Sequence, residues 1–489
     1  MRNKEKIEHA PRSLTGIVEI SRGKLVLTVP PDRPPQGSLR YALAFPFQAD
    51  ARTCGLMAMR MTEQTRNYGF LDGTDVILLE EWKPPSPARI FAATRNEIEK
   101  EKTGEPPRLF MKSPLIGGFV PRGALRADGA PHPHAGTGFG VGQAHRFSFP
   151  DGRFSWGDPA RKNLNEVYQL AYDGKTFTTR RTEVRTQDAE DPLRIGHTGW
   201  SLLVTGITGA IPDDDELLLP ALVVRSDRTA VSVGVIRWAC RAGTWRPVDY
   251  DPVISTMRPV SRDATMEGAG PWMEPSLARD ANGGVLFSAR GADTFDGQGE
   301  SGFLLRVWRS SEARRWHRVV DQPRARLNSP VTVNVAADGS AYLVSNPYDA
   351  AFIPQTAGTG RGREKLVLWS LNCIPSTSGE GRVRGHLGEW TGVERPLPIR
   401  DCLADFGDPP APAVTETGVP EKWMADHANG MTVRLNDGRW HHILAYRICH
   451  SPLYDSHGTP PSPHSGSYLE EVVSRGPARP VWRFAEKVR

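Results

Sequence analysis

The chain has 489 residues, of which 38% are hydrophobic and 24% are charged, and it contains 48 glycines and 42 prolines. This composition is typical of a globular protein with many turns and few long helices, and it excludes a largely disordered chain. The formal net charge of +5 comes from 61 basic and 56 acidic residues without a dominant basic run, so no nucleic acid partner is expected.

The first 15 residues and the cysteines bear on localisation and on cofactors. Residues 1–15 lack an apolar h-region, and no run of about 18 apolar residues occurs along the chain. We expect a flexible N-terminal segment at 1–15 and no membrane partner. The localisation stays unknown: cytoplasmic as the chain reads, secreted if a signal peptide was removed. The five cysteines never form a CxxC pair, so we predict no disulfide framework, no zinc–thiolate site and no cofactor.

The earliest chemically distinctive segment is GAPHPHAGTGFG, at residues 129–140. His132 and His134 flank one proline there, and alternating glycines follow them. We interpret the segment as the start of an inner β-strand, although histidines that cap a turn are the alternative. Imidazoles two residues apart also suit metal ions. Local spacing supplies no third ligand, so no metal is predicted.

A β-hairpin pattern recurs in the rest of the chain. Each copy has a strand-like segment, a tight turn and a second alternating strand, and Asn-Gly or Asp-Gly is a strong hairpin signal. Such units cannot bury their faces alone, which is why they occur as repeats. The copies are 273–291 with its turn at Asn282-Gly283, 328–347 with Asp338-Gly339, 426–447 with Asp437-Gly438, and a looser copy at 196–226 whose turn lies in a Pro-Asp-Asp-Asp segment.

An aromatic residue closes each unit, roughly every 70 residues. These residues are Trp82, Phe177, Trp245, Trp316, Trp390 and Trp482. Six units with four short strands each predict an all-β fold, a six-bladed β-propeller with four-stranded antiparallel blades. We expect a single propeller domain over residues 1–489, with loop insertions. Unrelated hairpins in two sandwich domains are the alternative.

The segment MEPSLARDANGGVLFSARG at 273–291 resembles the sialidase superfamily, and the degenerate segments SSEARRW, CRAGTW and YDGKTF resemble its BNR repeats. The resemblance covers most of the chain from about residue 110 onward. It implies a six-bladed sialidase-like propeller in which Glu274 assists a tyrosine nucleophile and Arg290 binds the carboxylate of the substrate. The chain departs from the family pattern where Asp426 and His427 stand in place of a Tyr-Ser pair. Sialic acid itself is therefore not the expected substrate.

The start of the first strand and the end of the second strand of a hairpin lie at the same end of a propeller blade. Residues at these positions are expected to converge on one face, and their polar character is the strongest functional signal in the sequence. The catalytic candidates are Glu274, Asp426, His134 and Tyr446. The substrate-binding candidates are Arg290, His132, His197, Asn328, His427 and Arg447.

Three functions are consistent with these residues, and each has a glycan as its partner. The leading hypothesis is a glycoside hydrolase acting on a glycan with an acidic sugar, because Glu274 and Asp426 are two carboxylates and Arg290 and Arg447 suit an acidic group. A polysaccharide lyase that uses histidine and tyrosine at a uronic acid is the second. A non-catalytic carbohydrate-binding propeller is the third. The oligomeric state is not determined by the sequence.

Overall fold

The structure, a computed structural model, describes most of the chain. Its regular elements are β-strands apart from one short helix, α1 (Cys402–Phe406), and one 3₁₀ turn, Pro87–Arg89. None of the described segments contains a helix long and apolar enough to span a membrane. The described residues are 16–27, 38–62, 73–95, 97–99, 108–112, 115–148, 163–186, 200–225, 231–256, 272–291, 303–325, 330–346, 363–374, 384–387, 397–407, 422–451 and 464–485.

Six antiparallel sheets of four to six strands make up the body of the described structure, in addition to one two-stranded sheet, and we number the six as blades one to six in chain order. The first strand, β1 (Ile17–Val26), belongs to blade six. Blade one contains β2 (Ser38–Asp50), β3 (Thr53–Thr62), β4 (Gly73–Leu79) and β5 (Ile90–Ala92). Blade two contains β6 (Glu97–Glu99), β7 (Arg108–Lys112), β8 (Ile116–Val120) and, beyond the short β9 (Ala124–Leu125), β10 (Thr137–Ser148), β11 (Asn163–Tyr172) and β12 (Phe177–Thr186).

The remaining blades follow the same plan. Blade three contains β13 (Trp200–Thr205), β14 (Ile211–Asp213), β15 (Glu216–Arg225), β16 (Val231–Arg241) and β17 (Thr244–Thr256). Blade four contains β18 (Trp272–Arg279), β19 (Val285–Gly291), β20 (Phe303–Ser310) and β21 (His317–Ala325). Blade five contains β22 (Thr332–Val335), β23 (Ala341–Ser345), β24 (Lys365–Ile374), β25 (Arg384–Leu387) and β26 (Leu397–Asp401). Blade six contains β27 (Lys422–Arg434), β28 (Trp440–Ser451) and β29 (Gly466–Ser474), and β30 (Arg483–Phe484) follows it.

The inner strands contact one another in blade order and close into a ring, because β27 of blade six packs against β2 of blade one. The N-terminal strand β1 pairs antiparallel with β29 and forms the outer edge of blade six. The two ends of the chain therefore meet in one sheet, which closes the ring. The predicted all-β, six-bladed propeller is confirmed.

Aromatic side chains fill the spaces between neighbouring blades. Phe139 of blade two stacks on Trp238 of blade three, with ring centroids 4.0 Å apart. The predicted closing residue Trp245 is buried, and its indole donates to Thr137 Oγ1 at 3.1 Å. Burial of such large rings is the main stabilising contribution between blades. The predicted closing residue Trp390 lies outside the described residues.

The propeller has two ends, and the hairpin turns define one of them. We name as the turn face the end that carries the loops between inner and second strands, and as the strand-start face the opposite end, where β18 and β27 begin. The predicted turns at Asn282-Gly283, Asp338-Gly339 and Asp437-Gly438 are confirmed. The glycines of these three turns have φ of +81°, +90° and +78°, in the left-handed region that favours glycine.

The GAPHPHAGTGFG segment lies on the turn face, so its predicted position at a strand start is wrong. The inner strand of blade two is β7 with β8, and Val120 pairs with Thr137, which leaves residues 121–136 as the connecting loop. His132 Nε2 lies 3.3 Å from the carbonyl oxygen of Asp214, in the adjacent turn of blade three. The glycines serve strand packing, because a Cβ at Gly138 would lie 2.3 Å from a backbone oxygen of β8.

The C-terminal segment, residues 475–485, crosses the turn face. Its Arg479 N–H donates to Ala337 O in the turn of blade five at 2.6 Å, and β30 pairs with β9 in the loop of blade two. Blades two and five are on opposite sides of a six-membered ring, so the segment passes over the central axis. Trp482 packs beside His132, with ring centroids 6.1 Å apart, and is not part of an outer strand of blade six. Residues 475–485 therefore cover part of the turn face.

Candidate active site

The inner hairpins of blades four and six share one irregularity on the strand-start face. In blade four, two residues of β18 lie opposite one residue of β19, and β27 and β28 repeat this bulge in blade six. Glu274 and His427 are the first bulged residues, with φ of +51° and +53°. A left-handed conformation costs a non-glycine residue about 1–2 kcal/mol. Such strain at two equivalent positions is typical of a functional site, where a bulge directs a side chain at the cost of an unfavourable backbone conformation.

Glu274 is held by cations from two blades. Its Oε2 accepts a hydrogen bond from Arg290 Nη1 at 3.0 Å, across the hairpin of blade four. Its Oε1 lies 3.6 Å from His427 Nε2 of blade six. Burial would raise the pKa of this carboxyl, but Arg290 and His427 lower it, and the net pKa lies far below the usual range. Glu274 is therefore an ionised carboxylate at neutral pH.

Asp426 is more deeply buried than Glu274 and His427, and cationic side chains contact both of its oxygens. Arg447 donates from Nε to Oδ1 at 2.9 Å and from Nη2 to Oδ2 at 3.0 Å, and Arg363 Nη1 donates to Oδ2 at 3.1 Å. Burial would raise the pKa of Asp426, but Arg447, His427 and Arg363 lower it well below its usual value. Its side chain is 0% exposed. The predicted role of Asp426 as a carboxylate beside the scissile bond does not fit this burial.

His427 links the two carboxylates. Its Nδ1 lies 2.8 Å from Asp426 Oδ1, and this distance between a ring nitrogen and an ionised oxygen favours a proton on Nδ1. Burial and the nearby Arg447 lower the pKa of the imidazole, but Asp426 and Glu274 raise it, and the net pKa is above the ordinary value. The imidazolium form is therefore favoured, with one N–H toward each carboxylate.

Solvent exposure separates the cluster into an outer and an inner part. The side chains of Glu274 and His427 are 21% and 15% exposed, whereas that of Asp426 is fully covered. A ligand on the strand-start face thus meets Glu274 and His427 first. Asp426 can act on such a ligand only through the imidazole above it.

The structure brings together five of the predicted site residues and separates the others. Those that join are Glu274, Arg290, Asp426, His427 and Arg447. His132 and His134 are on the turn face, so the expectation that they meet Glu274 is wrong. His197 and Asn328 lie outside the described residues, and their predicted roles stay predictions.

Tyr446, a predicted catalytic residue, lies in the core between blades five and six. Its hydroxyl donates to Glu470 Oε1 at 3.0 Å and accepts from Arg400 Nε at 2.9 Å. Its ring stacks on Tyr468, with centroids 5.8 Å apart. Neighbouring residues of a strand point to opposite faces, so Tyr446 is directed away from the side on which Arg447 contacts Asp426. The catalytic assignment of Tyr446 is not supported by this position.

Arg363 belongs to the cluster and was missed by sequence reasoning. It lies just before β24, the third strand of blade five, and its carbonyl accepts from Ala425 N at 2.8 Å. A third strand begins at the same end of a blade as the first strand. Reading the starts of third strands, as well as the hairpin ends, would have found Arg363.

No group of three or more His, Cys, Asp or Glu side chains among the described residues has an arrangement that would hold a metal ion. In the cluster itself, arginines fill the space around Asp426 from two sides. A dication there would be repelled by these guanidinium groups. The cluster is suited to anion recognition and proton transfer by its own side chains.

The strain at His427 has a measurable consequence. His427→Gly is expected to be more stable than His427→Ala by about 1 kcal/mol, because both lose the imidazole and only alanine retains the cost of a left-handed φ. Urea unfolding of the two variants measures the difference. The matched control is Ala425→Gly in the same strand, where glycine is expected to destabilise. Equal stabilities of the alanine and glycine variants would show that the backbone at His427 is not strained.

The ring of six sheets defines a six-bladed β-propeller. A Trypanosoma rangeli sialidase bound to the inhibitor DANA has a TM-score of 0.48 at 11% identity, with 93% of this chain and 59% of that chain covered. A Hadza microbial sialidase has a TM-score of 0.43 at 12% identity, with 89% of this chain and 66% of that chain covered. The Penicillium chrysogenum α-L-arabinanase bound to arabinobiose has a TM-score of 0.43 at 10% identity, with 93% of this chain and 98% of that chain covered.

These likenesses concern the fold alone. The chain spans only about three fifths of the length of the T. rangeli sialidase. No protein-family profile and no curated protein sequence matches the chain.

Proposed function

We propose that this chain is a glycoside hydrolase acting on a glycan with an acidic sugar, and that Glu274 and His427 are the reacting pair. The observation that carries the proposal is their meeting: two strained residues from equivalent bulges of different blades bring His427 Nε2 within 3.6 Å of Glu274 Oε1 on the strand-start face. A merely structural propeller has no need to place a carboxylate and an imidazolium there at the expense of backbone strain.

The charge of the cluster favours an anionic ligand. Three arginines, Arg290, Arg363 and Arg447, and the imidazolium of His427 surround the carboxylates of Glu274 and Asp426. Such cationic groups attract a carboxylate, sulfate or phosphate group of a ligand. Guanidinium groups also match the planar geometry of a sugar carboxylate.

Hydrolysis of a glycosidic bond needs one group that donates a proton to the leaving oxygen and one that attacks the sugar or activates water. His427 Nε2 supplies the proton in this proposal, because the imidazolium form is favoured and the side chain is partly exposed. Glu274 supplies the ionised carboxylate. Glu274 takes a proton from the attacking water as the water oxygen adds to the anomeric carbon, the bond to the leaving oxygen breaks, and that oxygen takes the proton from His427. The proton on Glu274 then passes to solvent, and His427 takes up a proton again.

The protonation of His427 also bears on the lyase alternative. A lyase needs a neutral base to remove the proton beside a uronic carboxylate. Asp426 and Glu274 favour the charged form of His427, which cannot accept a proton. The pKa of His134 is lowered by burial and by His132, but His134 lies on the turn face. The described residues thus favour hydrolysis.

The proposal is tested with a panel of acidic and neutral oligosaccharides. Hydrolysis releases new reducing ends without ultraviolet absorbance, and we expect this result on acidic glycans. An unsaturated uronate that absorbs in the ultraviolet would identify a lyase. Binding of glycans without any release would identify a carbohydrate-binding propeller. Either of the last two results overturns the proposal.

A further inference from the structure

We propose that Asp426 is a positioning residue: it fixes the orientation of His427 and keeps a proton on Nδ1, so that Nε2 faces Glu274. The inference rests on the proposed function for its effect on the reaction. Its structural part concerns this pair of adjacent residues and stands on the geometry of the bulge. It replaces the role in which Asp426 touches the substrate itself.

Adjacent residues in a regular strand point to opposite faces and cannot pair through their side chains. Asp426 and His427 do pair, with Oδ1 and Nδ1 2.8 Å apart. The φ of +53° at His427 turns its side chain back toward the preceding residue. The strained bulge is therefore the local cause of the Asp–His contact, and the contact in turn offsets the strain.

Asp426 is itself immobile, which is what a positioning residue requires. Its two oxygens accept from Arg447 on β28 and from Arg363 before β24, in addition to His427 on its own strand. Movement of the carboxylate would break hydrogen bonds to three segments of two blades at once. The imidazole that Asp426 holds is thereby fixed relative to the frame of the propeller.

The charged groups that face His427 have opposite effects on its pKa. Glu274 lies 3.6 Å from Nε2 and opposes loss of the proton, as Asp426 does from the other side. Arg447 Nη2 lies only 3.1 Å from Nδ1 and favours loss of the proton. Without the carboxylate of Asp426, the lowering of the His427 pKa by Arg447 would be less strongly opposed. The described charged groups that contact the ring are Asp426 from β27, Arg447 from β28 and Glu274 from β18. Behind them, Arg290 from β19 pairs with Glu274, and Arg363 from just before β24 pairs with Asp426.

The test measures the titration of His427 by nuclear magnetic resonance of histidine-labelled protein. In Asp426→Asn, the pKa of His427 is expected to fall by about 1–3 pH units relative to the wild-type protein. The matched control is Asp437→Asn, which removes a carboxylate from His441 on the turn face and is expected to leave His427 unchanged. An unchanged His427 titration in folded Asp426→Asn would overturn the proposal.

A second measurement needs no variant and stays informative if Asp426→Asn does not fold. In the wild-type protein, the neutral form of His427 is expected to carry its proton on Nδ1, because Asp426 accepts from that atom. A neutral form protonated on Nε2 would overturn the proposal. Both titration results are independent of any reaction, so a protein without hydrolase activity still tests the role of Asp426.

The reaction provides the third readout. If His427 donates the proton, the rate falls as the pH rises through the pKa of His427. Asp426→Asn is expected to move that fall to lower pH by the amount seen in the titration, with kcat reduced more than KM changes. A shifted titration together with an unshifted rate profile would show that Asp426 positions His427 but that the proposed function assigns the wrong acid.

Discussion

Glu274→Gln is expected to lower the rate of sugar release from an acidic glycan by about 10²–10⁴-fold at neutral pH. The amide has the same shape as the carboxylate, and its oxygen can accept from Arg290 as Glu274 does. The substitution removes the negative charge that attacks the sugar or activates water, and it leaves the bulge in place. Steady-state kcat on the best substrate of the oligosaccharide panel measures the effect.

The control for this variant is Glu216→Gln. Glu216 Oε2 accepts from Arg237 Nη1 at 3.0 Å, the same contact that joins Glu274 to Arg290, but it lies at the hairpin turn of blade three. Its replacement is expected to leave kcat unchanged. A kcat of Glu274→Gln equal to that of the wild-type protein would remove Glu274 from the reaction. The same loss of kcat in both variants would point to a general effect of breaking an ion pair.

Arg447→Met is expected to lower the free energy of unfolding by about 3–5 kcal/mol. Arg447 makes two hydrogen bonds to Asp426, whose side chain has no exposed surface. Methionine fills most of the space but leaves a buried carboxylate without its main partner. Urea unfolding at neutral pH measures the loss.

A double variant separates the buried charge from lost packing. Asp426→Asn combined with Arg447→Met removes both charges, so it is expected to be more stable than Arg447→Met alone. Arg439→Met is the exposed counterpart, since Arg439 pairs with Asp437 while 79% of its side chain is in solvent. Little change in stability is expected there. A cost of Arg447→Met no larger than that of Arg439→Met would contradict the importance of the buried pair.

Local chemistry explains which parts of the fold were predictable. Asn282-Gly283 and Asp437-Gly438 specify tight hairpins by themselves, and their positions bring Glu274 near Arg290 and Asp426 opposite Arg447 across the hairpins. Those four residues and His427 were therefore found from the sequence. The repeated units also predicted the number of blades.

Non-local pairing explains what was missed. The loop 121–136 of blade two is long, and its Asp128-Gly129 pair forms a turn within the loop and does not join the two strands directly. The strand that contains Gly138 and Gly140 was therefore assigned as a first strand and not as a second. Trp482 follows the last strand of blade six in sequence, and only the tertiary structure shows that it crosses to His132. No local pattern reveals that β1, from the other end of the chain, is the outer strand of blade six.

The faces of single strands set a further limit. Tyr446 and Arg447 are neighbours, and a prediction based on strand ends selected both. The structure directs Tyr446 to Glu470 and Arg447 to Asp426. The bulge at His427 determines which residue faces the cluster, and a bulge that begins with His rather than Gly has no sequence signature.

The crystal structure of Glu274→Gln bound to an acidic oligosaccharide tests the central claim, that the strand-start face around Glu274 and His427 is where a glycan reacts. We predict a sugar ring next to residue 274 and His427 Nε2, with its acidic group within hydrogen-bonding distance of Arg290, Arg363 or Arg447. A sugar bound instead on the turn face, beside His134 and Trp482, would contradict it.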